Sequence, residues 1–250
     1  MAIVDQNKQY KGSDLGLVWA FVKPAMYIGV FYLAISIGFK SAKTIDGLIC
    51  PYFVWLSVGL ISWFYMRDMI LAGARSFTKY KYIVARTNYP SITLPTVVAT
   101  SNIIIHLVLV VAVLIMSVFF GCMPSVYWLQ LPVYIALSYV FSIFWGITTG
   151  LLSVVTKDFY NLLQSISMAI FWLSAILFDV NGIDNPVVRT VFLFNPVTFI
   201  VEGYRNAVCR HIWFFEQPKE MVCYLAVLGV LVLISLALYK KIGKVLTDII

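Results

Sequence analysis

From Ile92 to Phe120 the chain passes through 29 residues whose one ionisable side chain is His106. As a helix, that stretch outruns the ~30 Å of hydrocarbon in a bilayer. A soluble fold has nowhere to put such a segment. Five further apolar runs, at about 17–37, 49–71, 128–155, 162–178 and 221–239, repeat the pattern. Composition agrees, with 62% hydrophobic and 12% charged residues, against about 25% charged in an ordinary soluble domain. The expectation is an all-α integral membrane protein, a single transmembrane domain over residues 1–250 with six transmembrane helices. No signal peptide is expected ahead of the first span, because Met1 to Gly16 leads into a segment too long for an h-region and without a cleavage site.

The polar connections set the orientation. Gly73 to Tyr89, GARSFTKYKYIVARTNY, lies between spans two and three and is followed by Pro90. At about 100° per residue, Arg75, Lys79, Tyr82 and Arg86 share one helical face, while Phe77, Tyr80 and Val84 share the opposite one. This predicts an amphipathic basic helix over about 73–89, either an interfacial helix drawn to anionic lipid or a docking surface for a cytosolic partner. Basic loops stay in the cytoplasm, so this helix fixes the inner face. Twelve basic residues then fall inside and six outside, with both termini cytoplasmic. Lys23 and Pro24 sit near the inner end of span one, where a lysine snorkels and a proline costs little.

Between spans five and six, Val187 to Phe194 and Val197 to Val208 are apolar pieces separated by Asn195-Pro196. Each is too short to cross the hydrocarbon. The pattern predicts an outer re-entrant helical hairpin over about 184–210, with its backbone satisfied only if protein covers it. Within it Glu202 and Arg205 are three apart, close enough to pair. That pair either lowers the cost of charge near the hydrocarbon boundary or is an ordinary surface pair.

Several chemistries are excluded. There is no GxxxxGK[ST] phosphate loop, no HExxH, no GxSxG and no cluster of intramembrane carboxylates. His106 reads more readily as a hydrogen-bonded packing group than as a proton relay. The four cysteines, Cys50, Cys122, Cys209 and Cys223, lack metal-like spacing, so neither metal site nor catalytic residue is expected. Cys209 and Cys223 lie 14 residues apart on the outer face, but chain proximity alone does not meet the Cα separation of less than ~7 Å that a bridge requires. The net charge of +7 falls on the cytoplasmic side and calls for no nucleic acid.

Four stretches carry a family resemblance: YKGSDLGLVWAFVKP at Tyr10 to Pro24, WFYMRDMILAGARSF at Trp63 to Phe77 with Asn88-Tyr89-Pro90 after it, KDFYNLLQ at Lys157 to Gln164, and NPVTFIVEGYR at Asn195 to Arg205. In order and spacing they resemble the membrane (permease) subunits of type-II ABC exporters for lipid-linked polysaccharide, the O-antigen and teichoic acid permeases. The resemblance implies a homodimer in a bacterial cytoplasmic membrane, joined by two copies of a cytosolic ABC ATPase that carries the ATP and Mg, with no cofactor in this chain. It implies that Arg75, Phe77, Lys79, Tyr82 and Arg86 couple to the ATPase. Asn195, Pro196, Glu202, Tyr204 and Arg205 would form an outer gate, and spans one, two and five the conduit for an undecaprenyl-linked glycan. There Tyr27, Phe31, Trp63, Phe64, Phe171 and Trp172 offer aromatic faces to sugar rings, or else pack at the interface. The alternatives are export of another amphiphile, such as a drug or glycolipid, and a membrane-embedded glycan-processing enzyme or scaffold. Two features depart from the family. Only nine residues precede Tyr10, where a longer interface helix is usual, and Ser174-Ala175 replaces the usual Ser-Pro at the end of span five.

Overall fold

The computed structural model describes residues 16–38, 48–82, 90–156 and 158–243. Arg86, with the end of the expected basic helix, and most of the first outer loop lie outside them. Among the described residues the chain is helix and connecting turn throughout. The helices are α1 (Trp19–Gly38), α2 (Tyr52–Ala74), α3 (Ser76–Lys79), α4 (Leu94–Phe119), α5 (Leu131–Val155), α6 (Asp158–Trp172), α7 (Pro186–Leu193), α8 (Pro196–Arg205) and α9 (Pro218–Ile242). Five of them, α1, α2, α4, α5 and α9, are long and apolar enough to cross a membrane. The end that carries α3 is called here the basic end, and the end that carries α7 the hairpin end.

The architecture is a wheel with α2 as its hub. Along its apolar window α2 is 83% buried, whereas α1 and α9 are 17% buried and α4 22%. Around it pack α5, α4, α8, α6 and α1. A helix apolar along most of its length belongs in the middle of a bundle, and the two serines of α2 meet that condition locally. Ser57 Oγ donates to the Phe53 carbonyl at 2.7 Å and Ser62 Oγ to the Gly59 carbonyl at 2.8 Å, so neither hydroxyl needs water. Hydroxyls also tie the rim: Thr100 on α4 bonds Tyr139 on α5 at 2.8 Å, and Tyr224 on α9 donates to the Leu137 carbonyl at 2.8 Å.

At the basic end, α2 and α5 cross almost backbone to backbone. A Cβ on Gly73 would lie 2.8 Å from the Gly146 Cα, and one on Gly150 would lie 2.7 Å from the ring of Phe77. Gly146 and Gly150 are four apart, the small-residue spacing that lets membrane helices touch. The notch they leave takes Phe77, which is fully buried beside Leu94, Ile147 and Leu151.

Two expected boundaries shift. Span two does not end near Leu71. It runs on to Ala74, so the basic segment begins as a continuation of α2, bends at Arg75 and resumes as α3. The fifth expected span is not one continuous helix over 162–178. Its helix, α6, has 15 residues and stops at Trp172, about 22 Å at 1.5 Å per residue and short of the hydrocarbon thickness. The chain then turns irregularly through Leu173 to Phe178, with Ala175 in the left-handed region at φ 50°. The break falls at Ser174-Ala175 and needs no proline. Ser174 Oγ bonds back to the Ile170 carbonyl at 2.5 Å, and the carbonyls freed by the break are taken up by the hairpin.

The cysteines pair differently from the one juxtaposition visible in sequence. Cys50, ahead of α2, is bridged to Cys122, after α4, with Cα atoms 5.4 Å apart. Cys209 is buried and Cys223 partly buried, each as a free thiol. Mass spectrometry of unreduced digests is expected to return a peptide pair joined through Cys50 and Cys122 and none through Cys209 and Cys223. Gly150→Val is expected to destabilise the protein by about 1–3 kcal/mol through overpacking against Phe77, read as a lowered Tm in detergent. Gly229→Ala on α9 faces open space and is expected to leave Tm unchanged or slightly raised.

Candidate functional site

The hairpin is built from two Asn-Pro pairs. Asn185 and Asn195 both adopt the extended backbone that a following proline imposes. Each caps the helix it precedes, Asn185 Oδ1 accepting from Val187 N at 2.9 Å and Asn195 Oδ1 from Val197 N at 2.9 Å. Pro186 and Pro196 occupy the first helical positions, where a missing N–H costs nothing. The two helices are not equivalent. α7 turns Val187, Val188 and Val191 outward, whereas α8 is sunk into the bundle along Val197, Ile200 and Val201.

Arg205, on the last turn of α8, is completely buried. Its guanidinium lies 3.3 Å over the Trp55 ring and donates to the carbonyls of Ala175 at 2.9 Å, Ile176 at 2.5 Å and, more weakly, Trp55 at 3.4 Å. It also pairs with Glu202 at 2.7 Å. Glu202 bridges onward to Arg210 at 2.5 Å, which pairs with Asp179 at 2.7 Å. Burial alone would lower the Arg210 guanidinium, but the Glu202 and Asp179 carboxylates reverse that and hold it above its ordinary value. The room for Arg205 is a missing side chain: a Cβ on Gly59 would stand 2.5 Å from its Nη2.

The other expected gate residues are held equally firmly. Asn195 Nδ2 donates to the Leu173 carbonyl at 2.7 Å and to Ser174 Oγ at 3.0 Å. Tyr204 is buried and its hydroxyl meets His106 Nε2 at 2.7 Å, so His106 is a packing and hydrogen-bonding partner as its solitary place in α4 suggested. Gly203 lets α8 lie directly against the Tyr134 ring. Glu202 and Arg205 are therefore not an ordinary surface pair. NPVTFIVEGYR locks the hairpin onto α2, α4, α5 and the break after α6. Sequence spacing found Glu202–Arg205, but the carbonyl partners 29 and 30 residues upstream of Arg205 left no short-range signal.

The six expected conduit residues divide into two groups that follow one another along the bundle. Phe31, Trp63, Phe171 and Trp172 form an aromatic cluster, with Phe171 5.3 Å from Phe31, 5.6 Å from Trp63 and 5.7 Å from Trp172. Trp63 and Phe171 are buried within this chain, and Trp172 is exposed. Tyr27 and Phe64, 5.9 Å apart, lie nearer the basic end. There they wall a cavity of about 850 Å³ bounded by α1, α2, α4 and the start of α6, whose lining also includes Trp19, Lys23, Arg67, Asp68, Arg75, Lys79 and Tyr160.

The basic segment keeps the predicted two-faced character as far as it is described. Arg75, Lys79 and Tyr82 are exposed, and the Arg75 guanidinium sits 3.8 Å over the Tyr160 ring at the start of α6. Phe77, grouped with them by resemblance, is the anchor on the opposite side, with no surface to offer a partner.

Arg205→Gln is expected to cost about 3–5 kcal/mol, the scale for breaking a buried ionic network, and to appear as a lost monodisperse peak in size exclusion. The charge-swapped variant, Glu202→Arg with Arg205→Glu, is expected to be no better than the single change, because a carboxylate at 205 would face the Ala175 and Ile176 carbonyls. Recovery by the swap would show that the ion pair alone, not the carbonyl cradle, holds the site.

Comparison with known proteins supports the resemblance. Residues 2–208 match the model of the ABC-2 type transporter family. The O-antigen export system permease protein RfbA of Myxococcus xanthus is 21% identical over 182 residues, 73% of this chain and 68% of that protein. A membrane-spanning helical wheel, a hairpin locked on its hub and a family match over most of the length lead to one conclusion: the chain belongs to the ABC-2 type transporter family and is the membrane subunit of a transporter rather than an enzyme.

Proposed function

We propose that two copies of this chain, with two copies of a cytosolic ABC ATPase, export an undecaprenyl-linked cell-surface polysaccharide across a bacterial cytoplasmic membrane, basic end inward. The family itself brings an ABC ATPase partner and a membrane location. The observation that carries the coupling half of the proposal is the seating of the basic segment. Phe77 is plugged into the α2–α5 crossing, and Arg75, Lys79 and Tyr82 are held outward around it. A segment fixed in this way transmits the movement of whatever grips its basic face. The orientation draws support from the Cys50–Cys122 bridge at the hairpin end, since disulfides persist in oxidising compartments.

The polysaccharide half rests on the O-antigen export for which the Myxococcus relative is named and on the aromatic surface between the cavity and Trp172. Aromatic faces bind the apolar C–H faces of sugars with little demand for a fixed pattern of hydroxyls. The matching experiment expresses the chain with its ATPase and replaces Arg75, Lys79 and Arg86 by Glu together. Membrane insertion is expected to persist while ATPase copurification falls by about tenfold or more, as reversing charges across an interface costs several kcal/mol. Surface glycan, measured by lectin or antibody binding on cells, is expected to fall with it. Unchanged copurification would overturn the docking role, and unchanged surface glycan in a strain lacking the chain would overturn the cargo.

A further inference from the structure

A second cavity, of about 40 Å³, lies under the hairpin between α7, α8 and the first turns of α5 and α9. It shares no residue with the six aromatic conduit positions. Thr198, in its wall, is 5% exposed, and its Oγ1 has no hydrogen-bond partner among the described residues. A buried hydroxyl left unpaired is costly, and a helical threonine can avoid the cost by bonding the carbonyl four residues back. Thr100, Thr149 and Thr190 do so. Thr198 is the third residue of α8, so the carbonyl four back belongs to Phe194, ahead of the Asn195 cap and outside the helix.

The groups that share the cavity with Thr198 narrow what can answer it. Glu220, half-buried in the first turn of α9, has no ion pair among the described residues. Arg189 stands at the exposed rim, where its Nη2 donates to Asn181 Oδ1 at 3.1 Å. Tyr134, Phe192 and Phe199 supply ring surface. An anion is disfavoured, because Glu202 and Glu220 both bring carboxylates to the lining. A metal ion lacks ligands: Glu202 is engaged by Arg205 and Arg210, and among the described residues no three His, Cys, Asp or Glu side chains come together to hold one. An apolar guest would leave Thr198 and Glu220 unanswered. A neutral, hydroxyl-bearing group remains. At roughly 10–15 Å³ for each water-sized group, the cavity admits about three of them. A whole sugar ring does not fit, whereas a hydroxymethyl arm with a neighbouring hydroxyl does.

We propose that this cavity binds the hydroxymethyl arm of a hexose at the hairpin end of the bundle. The hydroxyl of the arm accepts from Thr198 Oγ1 and donates to the Glu220 carboxylate, a charge-assisted bond about twice as strong as a neutral one. Arg189 donates to a hydroxyl of the ring, which stays at the rim. Such a ligand touches α7, α8 and α9 at once. The site lies off the conduit, and it requires neither the docking of an ATPase nor a lipid-linked cargo.

Saturation-transfer NMR on the purified chain, in phosphatidylcholine nanodiscs free of glycosidic detergent, reads the site. With methyl α-D-glucopyranoside as the probe, transfer is expected to be strongest at the C6 protons. Methyl β-D-xylopyranoside, which lacks the arm, is expected to give a signal about fivefold weaker. Glu220→Gln and Thr198→Val are each expected to lower the glucoside signal by about fivefold, in line with the loss of one hydrogen bond. Thr198→Ser keeps the hydroxyl and is expected to keep the signal. Thr198→Val replaces an unpaired buried hydroxyl by a methyl group and is expected to leave Tm unchanged or raised, which separates lost binding from lost folding. Absence of transfer, equal transfer to the two glycosides, or a glucoside signal that survives both Glu220→Gln and Thr198→Val would each overturn the proposal, the last by assigning binding to the conduit aromatics. Surface polysaccharide released from the host cells then identifies the source. Displacement of the probe assigns the arm to the exported chain, persistence assigns it to a small saccharide, and both results uphold the site. Failure of the docking or cargo test above leaves these signals unchanged, so the two readings fail separately.

Discussion

A cation with no exposure to solvent determines how this bundle closes. Arg205 is surrounded by the carbonyls of Ala175 and Ile176, the Trp55 ring, the Glu202 carboxylate and the bare backbone of Gly59. In a membrane protein, irregular backbone survives at depth only where other protein groups bond its carbonyls. The turn after α6 is such a backbone, and Arg205 together with Asn195 supplies the donors. Helix break, hairpin position and the glycine in α2 are one arrangement. Removing the arginine leaves carbonyls without partners, and filling the glycine leaves the arginine without room.

The same dependence explains what the sequence disclosed and what it concealed. Long apolar runs placed five crossing helices to within a few residues, because hydrophobic length is a local property. Asn195-Pro196 marked the hairpin break for a local reason as well, since cap and imposed φ belong to adjacent residues. The end of α6 was misjudged. Leu173 to Phe178 is as apolar as a helix interior, and what stops the helix is a set of acceptors answered from the next element. The pairing of Cys50 with Cys122, 72 residues apart, was hidden for the same reason. Phe77 was placed correctly on the apolar side of the basic segment. Its depth depends on Gly146 and Gly150 on another helix, which the segment itself does not announce.

The hub helix also orders the candidate surfaces. One flank of α2 near the basic end opens to the cavity through Phe64, Arg67 and Asp68, while its neighbour Trp63 joins the aromatic cluster with Phe171. Both therefore inherit the rigidity of a helix that is buried nearly all round. The helices with less of this support are α1, which rests chiefly on α2, and α6, which ends in the cradle described above.

The Cys50–Cys122 bridge and the glycine crossing act on opposite ends of the hub. The first staples the start of α2 to the end of α4, and the second seats the end of α2 against α5 with no side chain between them. A rod pinned at both ends cannot slide or tilt against its neighbours. α2, α4 and α5 therefore form the fixed frame of this chain, and a movement that leaves both ties intact has to be carried by helices outside that frame.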